Sequence, residues 1–125
     1  MFRSNEEDVK LRFESYGPGY ITRGPNIDVG IVVLPPNQDF PNHYHKNLEE
    51  SFFTLEGEVS LYLNFEEHQL KPGDFFRCDP TEMHYFTNRG TIPWKAIFIK
   101  APYDPKDGVT VDWRPGDPIP KLETT

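Results

Sequence analysis

The sequence lacks several features that would point to a disulfide-bonded or membrane protein. Cys78 is its only cysteine among 125 residues, so an internal disulfide and a zinc site built from several thiolates are both excluded. The longest apolar run, GIVVL at 30–34, is far too short to cross a bilayer, and the N-terminal MFRSNEEDVK has no apolar signal segment. We therefore expect a soluble cytoplasmic protein with no membrane partner, in which any metal is held by nitrogen and oxygen.

Positive charge is also scarce in this chain. Thirteen Lys and Arg residues stand against twenty Asp and Glu residues, which gives a formal net charge of −7. No basic cluster is present that would neutralise the phosphates of a nucleic acid. The expected partner is instead a small-molecule substrate.

Helical periodicity is missing, and short β-prone segments take its place. Thirteen prolines and nine glycines interrupt the chain, and the pieces between them are rich in Val, Ile, Phe, Tyr and Thr. Eight such segments are YITRG (20–24), IDVGIVVL (27–34), SFFTLEG (51–57), EVSLYLN (58–64), HQLKP (68–72), DFFRCD (74–79), HYFTN (84–88) and WKAIFIK (94–100). This pattern predicts an all-β antiparallel sandwich or barrel.

The length fits one domain, residues 1–125, with a barrel core at about 20–101. Residues 1–19 are interpreted as either an amphipathic turn or an added edge strand. Residues 102–125 are expected to form an extended proline-rich arm, in which GVTVDW (108–113) is a candidate for one more strand. Gly57 and Gly73 are expected in tight connections whose backbone conformation disfavours a Cβ atom.

The stretch NHYHKNLEESFFTLEG, residues 42–57, carries the first candidate site. His43 and His45 are two residues apart and therefore point to the same side of one strand or of its entry loop. Of the adjacent glutamates, Glu50 would share one strand face with Phe52 and Thr54. Two interpretations are open: these residues supply one half of a metal site, or they belong to a solvated loop.

A further histidine opens the segment after the Pro80 turn. His84, together with the earlier histidines and a glutamate, would give a ligand set that suits Fe(II), Mn, Ni, Zn or Cu, with coordination positions left open for substrate, water or dioxygen. His68, in the polar NFEEHQ segment, is interpreted as an exposed turn residue with no part in the site.

These residues resemble the two sequence motifs of the cupins, a family of small β-barrels. The first motif is a glycine, His-x-His, three or four residues, Glu, six residues and Gly, and this chain has His43-Tyr44-His45, four residues, Glu50, six residues and Gly57. The resemblance selects Glu50, which lies seven residues before Gly57, and leaves Glu49 as a surface charge.

The second motif runs from Gly73 through Pro80 to His84 and ends at Asn88. The chain departs from the family pattern in two turns. Asn37 stands where the glycine of the first motif is expected, and the usual Pro-x-Gly turn of the second motif is shifted to DPTEMH. Neither departure affects a ligand.

The resemblance implies a double-stranded β-helix, or jelly-roll barrel, that is often a homodimer. It also implies one divalent metal ion, with Fe, Mn, Ni, Zn or Cu all represented in the family, held by His43, His45, Glu50 and His84. The leading functional hypothesis is a metal-dependent enzyme that isomerises, eliminates from or decarboxylates a sugar, sugar acid or keto acid. The alternatives are an Fe(II)-dependent dioxygenase and a non-catalytic binding or sensor protein.

Strand alternation also predicts the surroundings of the metal. The expected pocket wall consists of Phe52, Thr54, Phe76, Cys78, Phe86 and Asn88. Acid/base candidates are Tyr62, Glu82, Tyr85 and Arg23, and no motif fixes any of them. Tyr44 should face away from the metal, and Cys78 should act as a small buried apolar residue, since no neighbouring cation in the sequence would activate its thiol.

Overall fold

The computed structural model describes residues 1–120, whose regular secondary structure is almost entirely β-strand. Apart from a 3₁₀ turn at Glu6–Asp8, the regular elements of this part of the chain are strands. They are β1 (Gly17–Arg23), β2 (Asp28–Leu34), β3 (Asp39–His45), β4 (Glu49–Glu56), β5 (Val59–Leu63), β6 (Glu66–Leu70), β7 (Phe75–Cys78), β8 (His84–Thr87), β9 (Trp94–Ala101) and β10 (Gly108–Thr110). Within residues 1–120, no helix is long and apolar enough to cross a membrane.

The strands form two five-stranded antiparallel sheets in the orders β1-β2-β9-β4-β7 and β10-β3-β8-β5-β6. Because consecutive strands alternate between the two sheets over much of the chain, the sheets enclose one barrel interior. The predicted jelly-roll barrel is confirmed.

The core follows the alternation that the sequence predicts. On β4, Phe52 and Thr54 are buried, whereas Phe53 and Leu55 are exposed on the outer surface. The inward apolar residues of both sheets pack into one cluster: Val32, Leu34, Phe52, Val59, Leu61, Leu70, Cys78, Phe86, Trp94, Ala96 and Phe98. Burial of this apolar surface is the main force that holds the two sheets together.

Strand β3 was not among the eight predicted segments, although the sequence left a strand as one possibility for His43 and His45. Pro41 lies in its middle, where the register with β8 shifts between Phe40 and His43. A proline is tolerated there because the residue at a bulge is not required to donate a ladder hydrogen bond, so the N–H that proline lacks is not needed.

The predicted turn at His68 is wrong. His68 lies within β6 and is half-buried, with its ring centroid 5.5 Å from that of Phe76. The turn lies earlier, at Asn64 and Phe65, where both residues have positive φ angles of 46° and 74°.

Both glycine turns have the predicted conformation, since φ is 71° at Gly57 and 91° at Gly73. The backbone also has a positive φ angle at both departures from the cupin motifs. Asn37 has a φ of 65°, and Thr81, within the shifted turn DPTEMH, has a φ of 72°. Asparagine enters this left-handed region readily, whereas a β-branched residue does so only under strain.

The chain outside the barrel packs against it at both ends. Val9 and Leu11 pack closely over Gly19. A Cβ atom added at Gly19 would lie 2.5 Å from a Val9 methyl group. The C-terminal arm adds β10 to the edge of β3, and Trp113 packs on the outer face of the second sheet. Residues 121–125 of the predicted arm lie outside the described residues.

Candidate metal centre

The structure brings His43, His45, Glu50 and His84 together in the barrel interior. One nitrogen or oxygen of each lies within 4.8 Å of the others. The Nε2 atoms of His45, His84 and His43 are 3.1, 3.2 and 3.9 Å from Glu50 Oε1. The histidines come from β3 and β8, which are paired with His43 opposite His84, and Glu50 comes from β4 in the facing sheet.

Backbone carbonyls orient two of the imidazole rings. His43 Nδ1 lies 2.9 Å from the Pro41 carbonyl oxygen, and His84 Nδ1 lies 3.1 Å from that of Glu82. Because a carbonyl only accepts hydrogen bonds, each Nδ1 donates and carries the ring proton. Each Nε2 then presents a lone pair to the cluster, which is the orientation a metal ligand needs. The Nδ1 atom of His45 is buried and has no hydrogen-bond partner within residues 1–120.

The charges of the cluster suit a cation. Burial acts to raise the pKa of Glu50, but its contacts with the three histidines and the positive charge of Lys100 lower it, and the net pKa lies well below its usual range. Burial lowers the pKa of His84, so its imidazole is neutral at neutral pH. A buried carboxylate beside three imidazole rings is a donor set that fits a divalent metal ion.

The cluster lies at one side of a cavity of about 440 Å³. Phe52, Phe86 and Phe98 form part of the apolar wall. Among the four clustered residues, the His43 side chain is the most exposed, at 29%. His43, His45 and Glu50 line the cavity, so a molecule in it has access to the cluster.

Two of the six predicted wall residues line this cavity. Phe52 and Phe86 line it, whereas Thr54, Phe76, Cys78 and Asn88 do not. The Thr54 hydroxyl accepts a hydrogen bond from the Trp94 indole at 3.0 Å, and the Asn88 amide donates to the carbonyls of Leu34 and Ile92 at 2.8 and 3.0 Å. Their inward direction is as predicted, but these contacts use both groups to hold the barrel together.

Phe76 and Cys78 also point inward and pack in the core. Burial, followed by the charge of Glu50, raises the pKa of the Cys78 thiol. The thiol is therefore protonated, in keeping with the predicted apolar role.

Most of the acid/base candidates lie away from the cavity. Tyr62 and Tyr85 are on the opposite face of their strands, under Trp113. The Tyr62 hydroxyl donates to Glu67 at 2.9 Å, and the Tyr85 hydroxyl donates to Asp39. Neither tyrosine reaches the cluster, because alternation directs both to the outer side of the second sheet.

Glu82 and Arg23 have separate positions. The Glu82 carboxylate accepts a hydrogen bond from the Asp79 backbone N–H at 2.7 Å. The backbone carbonyl of Glu82 is the group that contacts the cluster, because it accepts the hydrogen bond of His84 Nδ1. Arg23, by contrast, lines the cavity.

Sequence reasoning missed Lys100, Tyr20 and Arg12, which also line the cavity. Lys100 had a detectable signal, because it follows Trp94, Ala96 and Phe98 at every second position of β9 and so continues the inward face. Arg12 had none, since it lies in the segment that the sequence left undecided.

Asp107 connects the C-terminal arm to the loop between His45 and Glu50. Its carboxylate accepts the backbone N–H groups of Asn47 and Leu48 at 2.8 and 2.9 Å. Burial acts to raise the pKa of Asp107, but these backbone N–H groups lower it, and the net pKa lies below its usual range. The carboxylate therefore stabilises the loop that separates two of the clustered residues.

The variant Asp107→Asn is expected to lower the free energy of unfolding at pH 7 by about 1 to 3 kcal/mol, because the backbone N–H groups of Asn47 and Leu48 both lose their charged acceptor. Since the folded pKa is depressed, the stabilisation is complete above the ordinary pKa of about 3.9 and is lost as pH falls through the folded value. Urea denaturation at pH 7 and at successively lower pH measures the difference. Asp104→Asn is the control, because within residues 1–120 the Asp104 side chain accepts a single exposed contact, of 3.4 Å, from Asn47. Equal stability of the two variants at pH 7 would contradict this role for Asp107.

The comparisons with known proteins agree with the fold. The Cupin domain family matches residues 30–100. A protein of unknown function from Aquifex aeolicus is 30% identical over 88 residues, which are 70% of this chain and 71% of that protein. Quercetin 2,3-dioxygenase of Bacillus subtilis is 33% identical over 65 residues, 49% of this chain but only 19% of the dioxygenase.

Among solved structures, the fold is similar to that of a cupin-superfamily sugar phosphate isomerase from Silicibacter pomeroyi. The TM-score is 0.71 at 20% sequence identity, with 90% of this chain and 83% of that chain covered. The chain belongs to the cupin family, and its three-histidine, one-glutamate cluster is consistent with a metal ion in the barrel interior.

Proposed function

We propose that this cupin is a metal-dependent enzyme that acts on a small, oxygen-rich metabolite such as a sugar, sugar acid or keto acid. The observation that supports the proposal best is the convergence of four nitrogen and oxygen ligand atoms beside a cavity of about 440 Å³. A cavity of this size admits a small metabolite, and the cluster is accessible from it. The proposed reaction is an isomerisation, an elimination or a decarboxylation.

In this proposal His43, His45, Glu50 and His84 hold one divalent ion. When bound, the ion supplies Lewis-acid stabilisation of negative charge that develops on a substrate oxygen. The carbonyls of Pro41 and Glu82 keep two of the ligand rings in place, and Phe52 and Phe86 exclude water from one side of the cluster. The similarity to a sugar phosphate isomerase of the same fold supports isomerisation as one of the candidate reactions.

An Fe(II)-dependent dioxygenase is the second candidate, and the similarity to quercetin 2,3-dioxygenase favours it. That similarity covers about half of this chain and 19% of the relative. Dioxygenase chemistry requires dioxygen, whereas the proposed Lewis-acid reactions do not, so the two functions are separable by experiment.

The test is to incubate the metal-loaded protein with separate sugar acids, keto acids and sugar phosphates, with and without dioxygen, and to follow each by NMR. The proposal expects one class to be converted at the same rate in both atmospheres and expects a chelator to stop the conversion. Conversion that requires dioxygen would establish the dioxygenase instead. Reversible binding without any product would identify a binding or sensor protein.

We also propose that the chain forms a homodimer through the outer face of the first sheet. Phe53, Leu55, Phe75 and Ile99 are 41%, 38%, 61% and 38% exposed on this face, and Phe53 is paired with Phe75 across β4 and β7. Contiguous exposed apolar residues are typical of a protein interface. Arg77 and Glu49 beside the patch carry opposite charges, and such a border is complementary to a second copy related by a twofold axis.

Light scattering is expected to give twice the 14.6 kDa mass of the chain. Phe75→Glu should shift this mass to that of the monomer, because it places a charge in the apolar patch. Ile92→Glu, at an exposed apolar residue outside the sheet, should not. A monomeric wild-type protein would rule out the homodimer.

A further inference from the structure

We infer that the substrate is an anion, and that Lys100, with Arg23 and Arg12, binds its carboxylate or phosphate group. This inference rests on the proposed function and specifies the substrate class of the same site. Three observations carry it: the position of Lys100, the placement of both arginines and the reversal of charge inside the cavity.

Lys100 is a half-buried cation that faces the cavity. It lies on the inward face of β9, and its Nζ donates a hydrogen bond of 2.9 Å to the Tyr20 hydroxyl. The Nζ also lies 5.3 and 5.7 Å from the ring centroids of Tyr20 and Phe98. Within residues 1–120, no carboxylate forms a salt bridge with Lys100. A cation that is partly removed from water without such a partner is complementary to an incoming anion.

Tyr20 positions a second cation beside Lys100. The Arg23 guanidinium carbon lies 4.6 Å from the centroid of the Tyr20 ring, so one aromatic ring contacts both cations. Arg12, from the N-terminal segment, lines the same cavity. In the part of the chain that the structure describes, neither arginine forms a salt bridge, and a free guanidinium group matches the paired oxygens of a carboxylate or phosphate.

The charge of the cavity is opposite to that of the chain. The protein carries a formal net charge of −7, yet the cavity is lined by three permanent cations and one carboxylate, that of Glu50. In the proposed function Glu50 is occupied by the metal. A positive cavity in a negative protein concentrates anions at its mouth and repels cations.

These positions divide the cavity into two parts. Oxygen atoms of the substrate would face the metal cluster, and its acidic group would contact Lys100 and the arginines. The arrangement favours sugar acids, keto acids and sugar phosphates, and it disfavours neutral sugars.

The test uses calorimetry on the metal-loaded protein, with malonate as the carboxylate probe, inorganic phosphate as the phosphate probe and erythritol as the neutral probe. The wild type is expected to bind at least one anion in a saturable manner and to bind erythritol much more weakly. Lys100→Met keeps the apolar stem and removes the charge, and it should weaken anion binding by about tenfold. Lys100→Arg should restore part of the affinity.

Lys71→Met is the matched control, because it removes the same charge at an exposed turn outside the cavity, and its anion affinity should equal that of the wild type. Metal content and thermal unfolding of each variant establish that the cluster and fold are intact. Whichever probe depends on Lys100 identifies the acidic group as carboxylate or phosphate.

Repeating the titrations on chelator-treated protein separates the two proposals. Lys100-dependent anion binding that persists without metal would support the anion site even if the metal proved to have no role in the reaction. Three results would overturn the inference: Lys100→Met binding both anions as tightly as the wild type, neither anion binding saturably, or erythritol binding as tightly as the anions.

Discussion

Replacing His84 by alanine is expected to lower the affinity for the divalent metal by about 100-fold or more. His84 is 1% exposed, and its Nε2 lies 3.2 Å from Glu50 Oε1 at the centre of the cluster. Its ring is fixed by the Glu82 carbonyl, and among the described residues the cluster holds no fifth His, Cys, Asp or Glu side chain that could replace it. The loss of one of four ligands should also abolish the metal-dependent activity.

His68→Ala provides a matched control, because His68 is the one histidine outside the cluster. Both variants would be equilibrated with a metal buffer and then subjected to elemental analysis. His68→Ala should retain the metal content of the wild type. Full occupancy in His84→Ala would show that His84 is not a ligand.

Replacing Gly57 by alanine is expected to lower the free energy of unfolding by about 3 kcal/mol or more. Two effects act together at this position. The φ angle is 71°, in the left-handed region, and an added Cβ would lie 2.3 Å from the Pro93 carbonyl oxygen. Because the obstacle is backbone that leads directly into the buried Trp94, relief of the clash would displace β9.

Gly73→Ala separates these two effects. Gly73 also has a positive φ, 91°, but nothing lies within 4 Å of the position that its Cβ would take. Its expected cost is only about 1 kcal/mol, from backbone conformation alone. Urea denaturation of both variants gives the two free energies. Equal values would mean that the Pro93 contact has no energetic importance.

The ligand cluster could be predicted from two short motifs and their resemblance to those of the cupins. His43 and His45 share a strand face through their spacing of two, whereas the resemblance selects Glu50 over Glu49 and adds His84. The structure agrees with this distinction, since the Glu49 carboxylate is directed to Arg77 on the surface at 3.6 Å. Alternation also gave the correct inward direction for Phe52, Phe76 and Phe86.

The remainder of the site depends on contacts between distant parts of the chain. Alternation shows that Tyr62 and Tyr85 share a face of the second sheet. It does not show that Trp113 covers this face and so buries a second surface. Arg12 reaches the cavity through the packing of the N-terminal segment, and Asp107 fixes a loop about sixty residues earlier in the chain. Such contacts have no signature in spacing or composition.

The central claim is that these four residues hold one metal ion. The most direct test is a crystal structure of the freshly purified protein. Anomalous diffraction would be measured at the absorption edge of the metal that elemental analysis finds. The account predicts one anomalous peak per chain, bounded by the Nε2 atoms of His43, His45 and His84 and by the Glu50 carboxylate. A metal peak elsewhere in the chain, with these four side chains bonded only to one another, would contradict it.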